Sequence, residues 1–186
     1  MMQIEVGEGI VLREPCEDDA ERLFALIDDN RALLGQWMPW LDQMRDSADS
    51  LTYIRFSQEG NREGRFLNLL VWVDDEPAGV LCFFALEPTQ RRSEIGYWLG
   101  TRWQGRGIMR RACQALIAFG FNALNLYRIQ IACAVDNLPS RALAERLGFS
   151  FEGVLQGREW IGARVLDHAI YGLLLPTWRA QARQPD

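Results

Sequence analysis

Residues 100–111, GTRWQGRGIMRR, place Gly105 and Gly107 among Arg102, Arg106, Arg110 and Arg111, directly before an apolar stretch with helical spacing. The first turn of a helix leaves backbone N–H groups unpaired, and the helix dipole favours negative charge there. Glycines at such an entrance let an anion reach those donors closely. The chemistry on offer is capture of a phosphate or diphosphate; the plainer alternative is a tight turn with solvated arginines. Two phosphate motifs are set aside. A P-loop ends in Gly-Lys-Ser/Thr, and this chain has no lysine. The dinucleotide fingerprint GxGxxG, aligned on Gly105 and Gly107, puts Arg110 where helix–strand packing wants a small residue.

Other reactive side chains offer less. Cys133 sits in the apolar run IACAV without a nearby basic partner, so it reads as a buried inert thiol. His168, the only histidine, lies beside Asp167 and makes neither a metal site nor a triad without a nucleophile. It reads as a strand-face residue, and no metal is expected. Cys16, Cys82, Cys113 and Cys133 form no CxxC pair and read as free thiols of a reducing cytoplasm.

The elements that must position these groups follow from periodicity. GIVLREP reads as a first strand, and CEDDAERLFALIDDN as a helix with Leu23, Phe24 and Ile27 on one face. RALLGQWMPWLDQM is irregular and aromatic. SADSLTYIRFSQEG reads as a helix capped by Ser47 or Asp49 and closed near Gly60. RFLNLLVWVDD, PAGVLCFFAL and SEIGYWLG are successive strands. The stretch from Gly107 continues as a helix with Ile108, Ala112, Ala115, Leu116 and Phe119 on one face. YRIQIACAV is a strand, NLPSRALAERLGF a short helix ended by Gly148, and SFEGVLQGREWIG with RVLDHAIYGLLL a closing antiparallel pair. This order predicts a mixed α/β domain around one central sheet.

With 186 residues, 48% hydrophobic and 24% charged, the chain suffices for one domain spanning 1–186, with a short flexible tail from about residue 180. A net charge of −5 argues against nucleic acid as a partner. MMQIEVGEGI carries no export signal, and no apolar run approaches membrane-spanning length, so a cytoplasmic protein without a membrane partner is expected.

Arg102-x-x-Gly105-x-Gly107 resembles the pyrophosphate loop of the GNAT superfamily of acetyl-CoA-dependent N-acetyltransferases. There a Gln/Arg-x-x-Gly-x-Gly/Ala loop holds coenzyme A through backbone amides. The context is similar too: a strand before, a helix after, then a strand leading into DNLPSRALAERLGFSFEG. EIGYWL, QGRGI and the 137–153 block look like the RimL-type branch, which acetylates N-terminal amines of ribosomal proteins. The resemblance spans about residues 10–175. It implies a mostly antiparallel sheet that splays near the 102–107 loop, helices on both faces, and acetyl-CoA as cosubstrate. It also implies a homodimer, and an amine acceptor of which a ribosomal-protein N-terminus is the first choice. Polyamines, amino acids and aminoglycosides are the alternatives, and a non-catalytic acyl-CoA sensor is a third possibility.

Residue by residue, the resemblance assigns Arg102, Gln104, Gly105, Arg106, Gly107 and Ile108 to the diphosphate. The backbone of Trp98 and Leu99 goes to the pantetheine, as does Asn137, which also caps its helix. Many members carry a Tyr general acid at the position that is Ala144 here, and the RimL-like Asn-x-x-Ser spacing offers Ser140 instead. A serine hydroxyl is far less acidic than a thiol at pKa ~8.5, so Ser140 suits donation of a hydrogen bond to the leaving thiolate. The first helical turn could equally explain it. Glu159 matches the proposed base, Glu94 is the alternative, and either could be structural, Glu159 beside Arg158 and Glu94 as partner of an arginine. Trp37 and Trp40 either line the acceptor mouth or staple an irregular segment. An α-amine near pKa ~8, against ~10.4 for lysine, spares the enzyme roughly 3 kcal/mol of deprotonation, so a weak carboxylate base suffices.

Overall fold

The computed structural model describes residues 2–183. Its strands are β1 (Gln3–Gly7), β2 (Ile10–Arg13), β3 (Leu67–Val73), β4 (Glu76–Glu87), β5 (Arg92–Leu99), β6 (Arg128–Ala134), β7 (Ser150–Ile161) and β8 (Arg164–Leu174). They form one sheet in the order β1-β2-β3-β4-β5-β6-β8-β7. The helices are α1 (Ala20–Asp28), α2 (Arg31–Leu34), α3 (Ser47–Glu63), α4 (Ile108–Asn122), α5 (Leu138–Arg146) and α6 (Leu175–Gln181). The mixed α/β class and the mostly antiparallel sheet are as expected: only β5 and β6 run parallel.

Helices cover both faces, which is why β3 is apolar except for Asn68, which donates to Ser57 Oγ, and is buried throughout. Leu69 and Val71 point into a core with α4, while Leu70 and Trp72 point into a second core with α1, α2 and α3. On α4, Ile108, Ala112 and Leu116 are fully buried, as their spacing predicts, joined by Met109, Cys113 and Ile117. Ala115 and Phe119 are half-buried at the edge of that stripe.

The sheet opens where the parallel pair ends. Residues 92–95 pair with 128–131, but beyond them 96–99 pair only with β4 and 132–134 only with β8. Two strands thus diverge with one edge of each unpaired, pointing at the loop that leads into α4.

Several boundaries differ from expectation. The cap of α3 is Asp46, not Ser47 or Asp49: its carboxylate accepts from the N–H groups of Ala48 and Asp49, and Asp49 in turn accepts from the Arg45 N–H. The helix also runs past Gly60 to Glu63. A Cβ at residue 60 would overlap the Phe66 ring, so this glycine serves close packing and not termination. Asp46→Ala should cost about 1 kcal/mol, read as a lower denaturation midpoint with unchanged denaturant slope.

β1 precedes the expected first strand, and the aromatic segment contains α2. The expected flexible tail from about residue 180 begins inside α6, where Trp178 stacks at 5.1 Å on Phe121 of α4. Its end, residues 184–186, lies outside the described residues. Among the described residues no helix is long and apolar enough to cross a membrane.

Candidate active site

At the entrance to α4, Gly105 and Gly107 both adopt left-handed backbone, with φ of 73° and 70°. That conformation is nearly free for glycine and strained for other residues. A Cβ at either position would meet nothing within 4 Å, so the space above the helix N-terminus is open. No side chain caps α4, and its first main-chain hydrogen bond returns from Arg111 N–H to Gly107 O. The N–H groups of the first turn are therefore presented to that open space. Gln104 braces the loop by donating from Nε2 to Leu99 O at 2.9 Å.

The arginines divide. Arg102 pairs with Glu76 at 2.7 Å, and Arg111 pairs with Glu8. Arg106 and Arg110 carry no carboxylate partner among the described residues. Arg102 and Arg106 stack on buried Trp103, at 4.7 and 5.1 Å from the ring centroid. Positive charge at this entrance thus rests chiefly on Arg106, Arg110 and the helix dipole. Trp103 organises it, a part the sequence reading gave to no residue.

A cleft of about 1170 Å³ runs through the opening between β5 and β6. It collects Glu94, Trp98, Asn137, Ser140 and Glu159, with Trp37 and Trp40 on its wall. Trp40 also packs on Trp98 at 6.4 Å, so the aromatic segment staples and lines at once. The side chains of Trp98 and Leu99 are buried, which leaves their backbone at the unpaired edge of β5. Leu99, Arg102, Gln104, Gly105, Arg106, Gly107 and Ile108 do not line the cleft, and Arg102 lies against Glu76 and Trp103.

Alternation along the strands assigns the cleft residues to opposite faces. Glu94 and Gln130, joined at 2.9 Å, share one face with Trp98, the side covered by α1 and α3. Ile95, Ile131 and Cys133 share the other, the side covered by α4. Ser140 joins this second group. It sits in the first turn of α5, where Asn137 caps the helix by accepting from the Ser140 N–H at 3.2 Å. Tyr97 Oη lies 2.7 Å from Ser140 Oγ and donates to Ser140 O at 3.2 Å. Burial pushes the Tyr97 hydroxyl above its usual range, so it stays a neutral donor.

Across the opening, Glu159 Oε2 lies 3.3 Å from His168 Nε2, and Arg158 lies 3.8 Å from Glu94. The His168 contact is an ion-pair distance without hydrogen-bond alignment; neither ring nitrogen has a hydrogen-bond partner among the described residues. Burial lowers the His168 pKa, outweighing the Glu159 charge that raises it. Burial raises the Glu94 pKa against its Gln130 and Arg158 contacts.

Residues 10–150 match the family model described as Acetyltransferase (GNAT) domain. The chain belongs to the GNAT acetyltransferase family. It is 31% identical over 172 residues to the ribosomal-protein-serine acetyltransferase of Escherichia coli K12, covering 92% of this chain and 96% of that one. The solved structure of RimL, a ribosomal L7/L12 alpha-N-protein acetyltransferase in complex with coenzyme A, superposes with TM-score 0.91 at 30% identity over 95% of this chain and 99% of the other. The microcin C7 self-immunity acetyltransferase MccE, in complex with acetyl-CoA and AMP, superposes with TM-score 0.88 at 34% identity over 91% and 94%. The protein is an acetyl-CoA-dependent N-acetyltransferase.

The GNAT assignment explains why the sheet splits. Acetyl-CoA supplies a thioester carbonyl and a leaving thiolate, and its pantetheine is an extended amide chain that needs main-chain partners. The unpaired edges of β5 and β6 and the open N-terminus of α4 fit those two parts. Cys133 lines the cleft and, contrary to the expectation from sequence, has a basic neighbour in Arg141; burial still pushes its thiol pKa up, outweighing the Ser140 hydrogen bond and the Arg141 charge, which agrees with an inert thiol. Tyr97 and His168 are two of the polar cleft residues that sequence reasoning left without a part. Tyr97 was visible only as a neighbour of Trp98. His168 had a readable signal: across the β7–β8 hairpin Glu159 pairs with Leu166, making His168 its diagonal neighbour.

Proposed function

We propose that this GNAT enzyme acetylates the N-terminal α-amine of a ribosomal protein in the cytoplasm. The amine attacks directly while both substrates are bound, with Glu159 as base and Ser140 as hydrogen-bond donor to the leaving thiolate. The observation that carries the reading is the arrangement of the cleft, with Ser140 on the α4 side of the opening and the Glu159 group across from it. An amine and a thioester meeting between the faces have a base on one side and a donor on the other. Likeness to the ribosomal-protein-serine acetyltransferase supports the acceptor class.

The chain's own residues divide the work. N–H groups of the α4 first turn, with Arg106 and Arg110, hold the diphosphate, while Gln104 and Trp103 brace the loop. Glu159 takes a proton from the amine. Ser140 donates to the sulfur; when the Tyr97 hydroxyl turns its hydrogen bond from the Ser140 carbonyl to Ser140 Oγ, the serine proton is free for that task. Pairing of two such enzymes into a homodimer is supported by the apolar surface of the edge strand β7, where Phe151 is 52% and Trp160 65% exposed.

Incubation with radiolabelled acetyl-CoA and cell extract tests the acceptor. Label should enter protein N-termini, and label confined to small molecules would overturn this choice. Such an outcome would favour the second reading, a small-molecule amine such as a polyamine, amino acid or aminoglycoside, which the likeness to MccE supports. Glu159→Gln should lower kcat by about 10²–10⁴-fold, the range of general-base contributions, with coenzyme affinity unchanged by calorimetry.

A further inference from the structure

The geometry points to His168 as the proton-accepting partner behind Glu159: it stands against that carboxylate and takes up the proton that Glu159 removes from the acceptor amine. The inference rests on Glu159 as the base of the proposed function and adds a partner to it.

His168 stands on β8, opposite Ala134 of β6 and Leu155 of β7, and forms part of the cleft wall. It is 9% exposed, and among the described residues neither ring nitrogen finds a hydrogen bond. Buried polar groups are normally satisfied, so an imidazole serving only to fill space would be replaced by an apolar side chain without loss. The group it does meet is the Glu159 carboxylate, at 3.3 Å from Nε2. The charged side chains around it are Glu159 and Arg158 on β7 and, through Arg158, Glu94 on β5. β6 lines the cleft with Ile131, Ala132, Cys133 and Ala134, all uncharged, and Asp42, Arg45 and Asp49 stand on the outer wall.

Burial lowers the His168 pKa and so favours the neutral imidazole, whose Nδ1–H tautomer offers an Nε2 lone pair once Glu159 carries the proton. A carboxylate alone, near pKa ~4.3, is a poorly matched sink for a proton from an amine near pKa ~8. The imidazole corrects the mismatch. As the ammonium N–H bond breaks, a Glu159 O–H bond forms; that bond then breaks as Nε2–H forms. An imidazolium remains beside a restored carboxylate, a stabilised ion pair, and the proton passes to solvent afterwards. The neutral amine then adds to the acyl carbon; as the tetrahedral adduct collapses, the carbon–sulfur bond breaks and the amine's second proton ends on the coenzyme sulfur as a thiol.

Because the chain has a single histidine, its imidazole NMR signals are unambiguous in protein freed of any histidine tag. Titration of the ligand-free enzyme measures the His168 pKa directly, and initial rates give the acid limb of kcat/KM. The two midpoints should coincide. In Glu159→Gln the NMR midpoint should fall, because the carboxylate that favours the imidazolium is gone. His168→Gln should lose that limb and fall about 10²-fold in kcat/KM at pH 7, the low end for proton transfer by a positioned side chain, with coenzyme affinity retained. A limb that persists at the same pH in His168→Gln overturns the inference. So does a wild-type NMR midpoint separate from the kinetic one, a comparison that needs no variant to fold. A full rate in Glu159→Gln would instead remove the base itself, so the two failures are distinguishable.

Discussion

Gly107→Val should abolish tight coenzyme binding while leaving the protein folded. Gly107 holds left-handed backbone at φ 70°, where a β-branched residue is strained by about 1–2 kcal/mol. Against a domain stability of ~5–15 kcal/mol that strain is tolerable, and an added Cβ meets no neighbouring atom within 4 Å. The new side chain instead occupies the open space over the first-turn N–H groups of α4. Loss of those contacts should weaken acetyl-CoA binding by at least about 10²-fold, close to 2.7 kcal/mol, measured by calorimetry. The thermal midpoint should fall only modestly. Unchanged affinity in a folded variant would mean that the diphosphate lies elsewhere.

Ser140→Ala should separate catalysis from binding. The residue's backbone N–H keeps its bond to Asn137, and Tyr97 keeps an acceptor in the residue-140 carbonyl, so α5 retains its cap. Only the hydroxyl is lost. Removal of one well-placed donor to developing negative charge typically costs 10²–10³-fold in kcat, and that is the effect expected, with coenzyme affinity within a few-fold of wild type. A serine present only to settle the first helical turn would leave kcat near its original value.

What the chain's residues revealed beforehand tracks the range of the interactions involved. The start of α4, the Asn137 cap and the stop at Gly148 rest on local signals, read within a few residues. The opening between β5 and β6 came only from the resemblance to the GNAT family; the paired glycines marked a helix entrance where something must approach the backbone, not a parting of strands. Contacts across the fold were hidden. Tyr97 and Ser140 are 43 positions apart, and Arg111 finds Glu8 at a separation of 103. Counting arginines near the loop therefore overstated its free charge, since two of four are already paired. Asp46 was overlooked as a cap because Ser47 and Asp49 carry equally suitable side chains. The choice depended on which residue adopts extended backbone, a property set by the preceding loop. Gly60 misled for the converse reason: its role is to admit the Phe66 ring, a tertiary demand with no local mark.

The account turns on both substrates being present together, so that groups on opposite faces of the parted strands act on one acyl carbon. Initial rates measured with acetyl-CoA and acceptor varied in turn test this most directly. Intersecting double-reciprocal lines are predicted, as for a ternary complex. Parallel lines, with label retained on the protein after exposure to acetyl-CoA alone, would show a covalent acetyl-enzyme and contradict it.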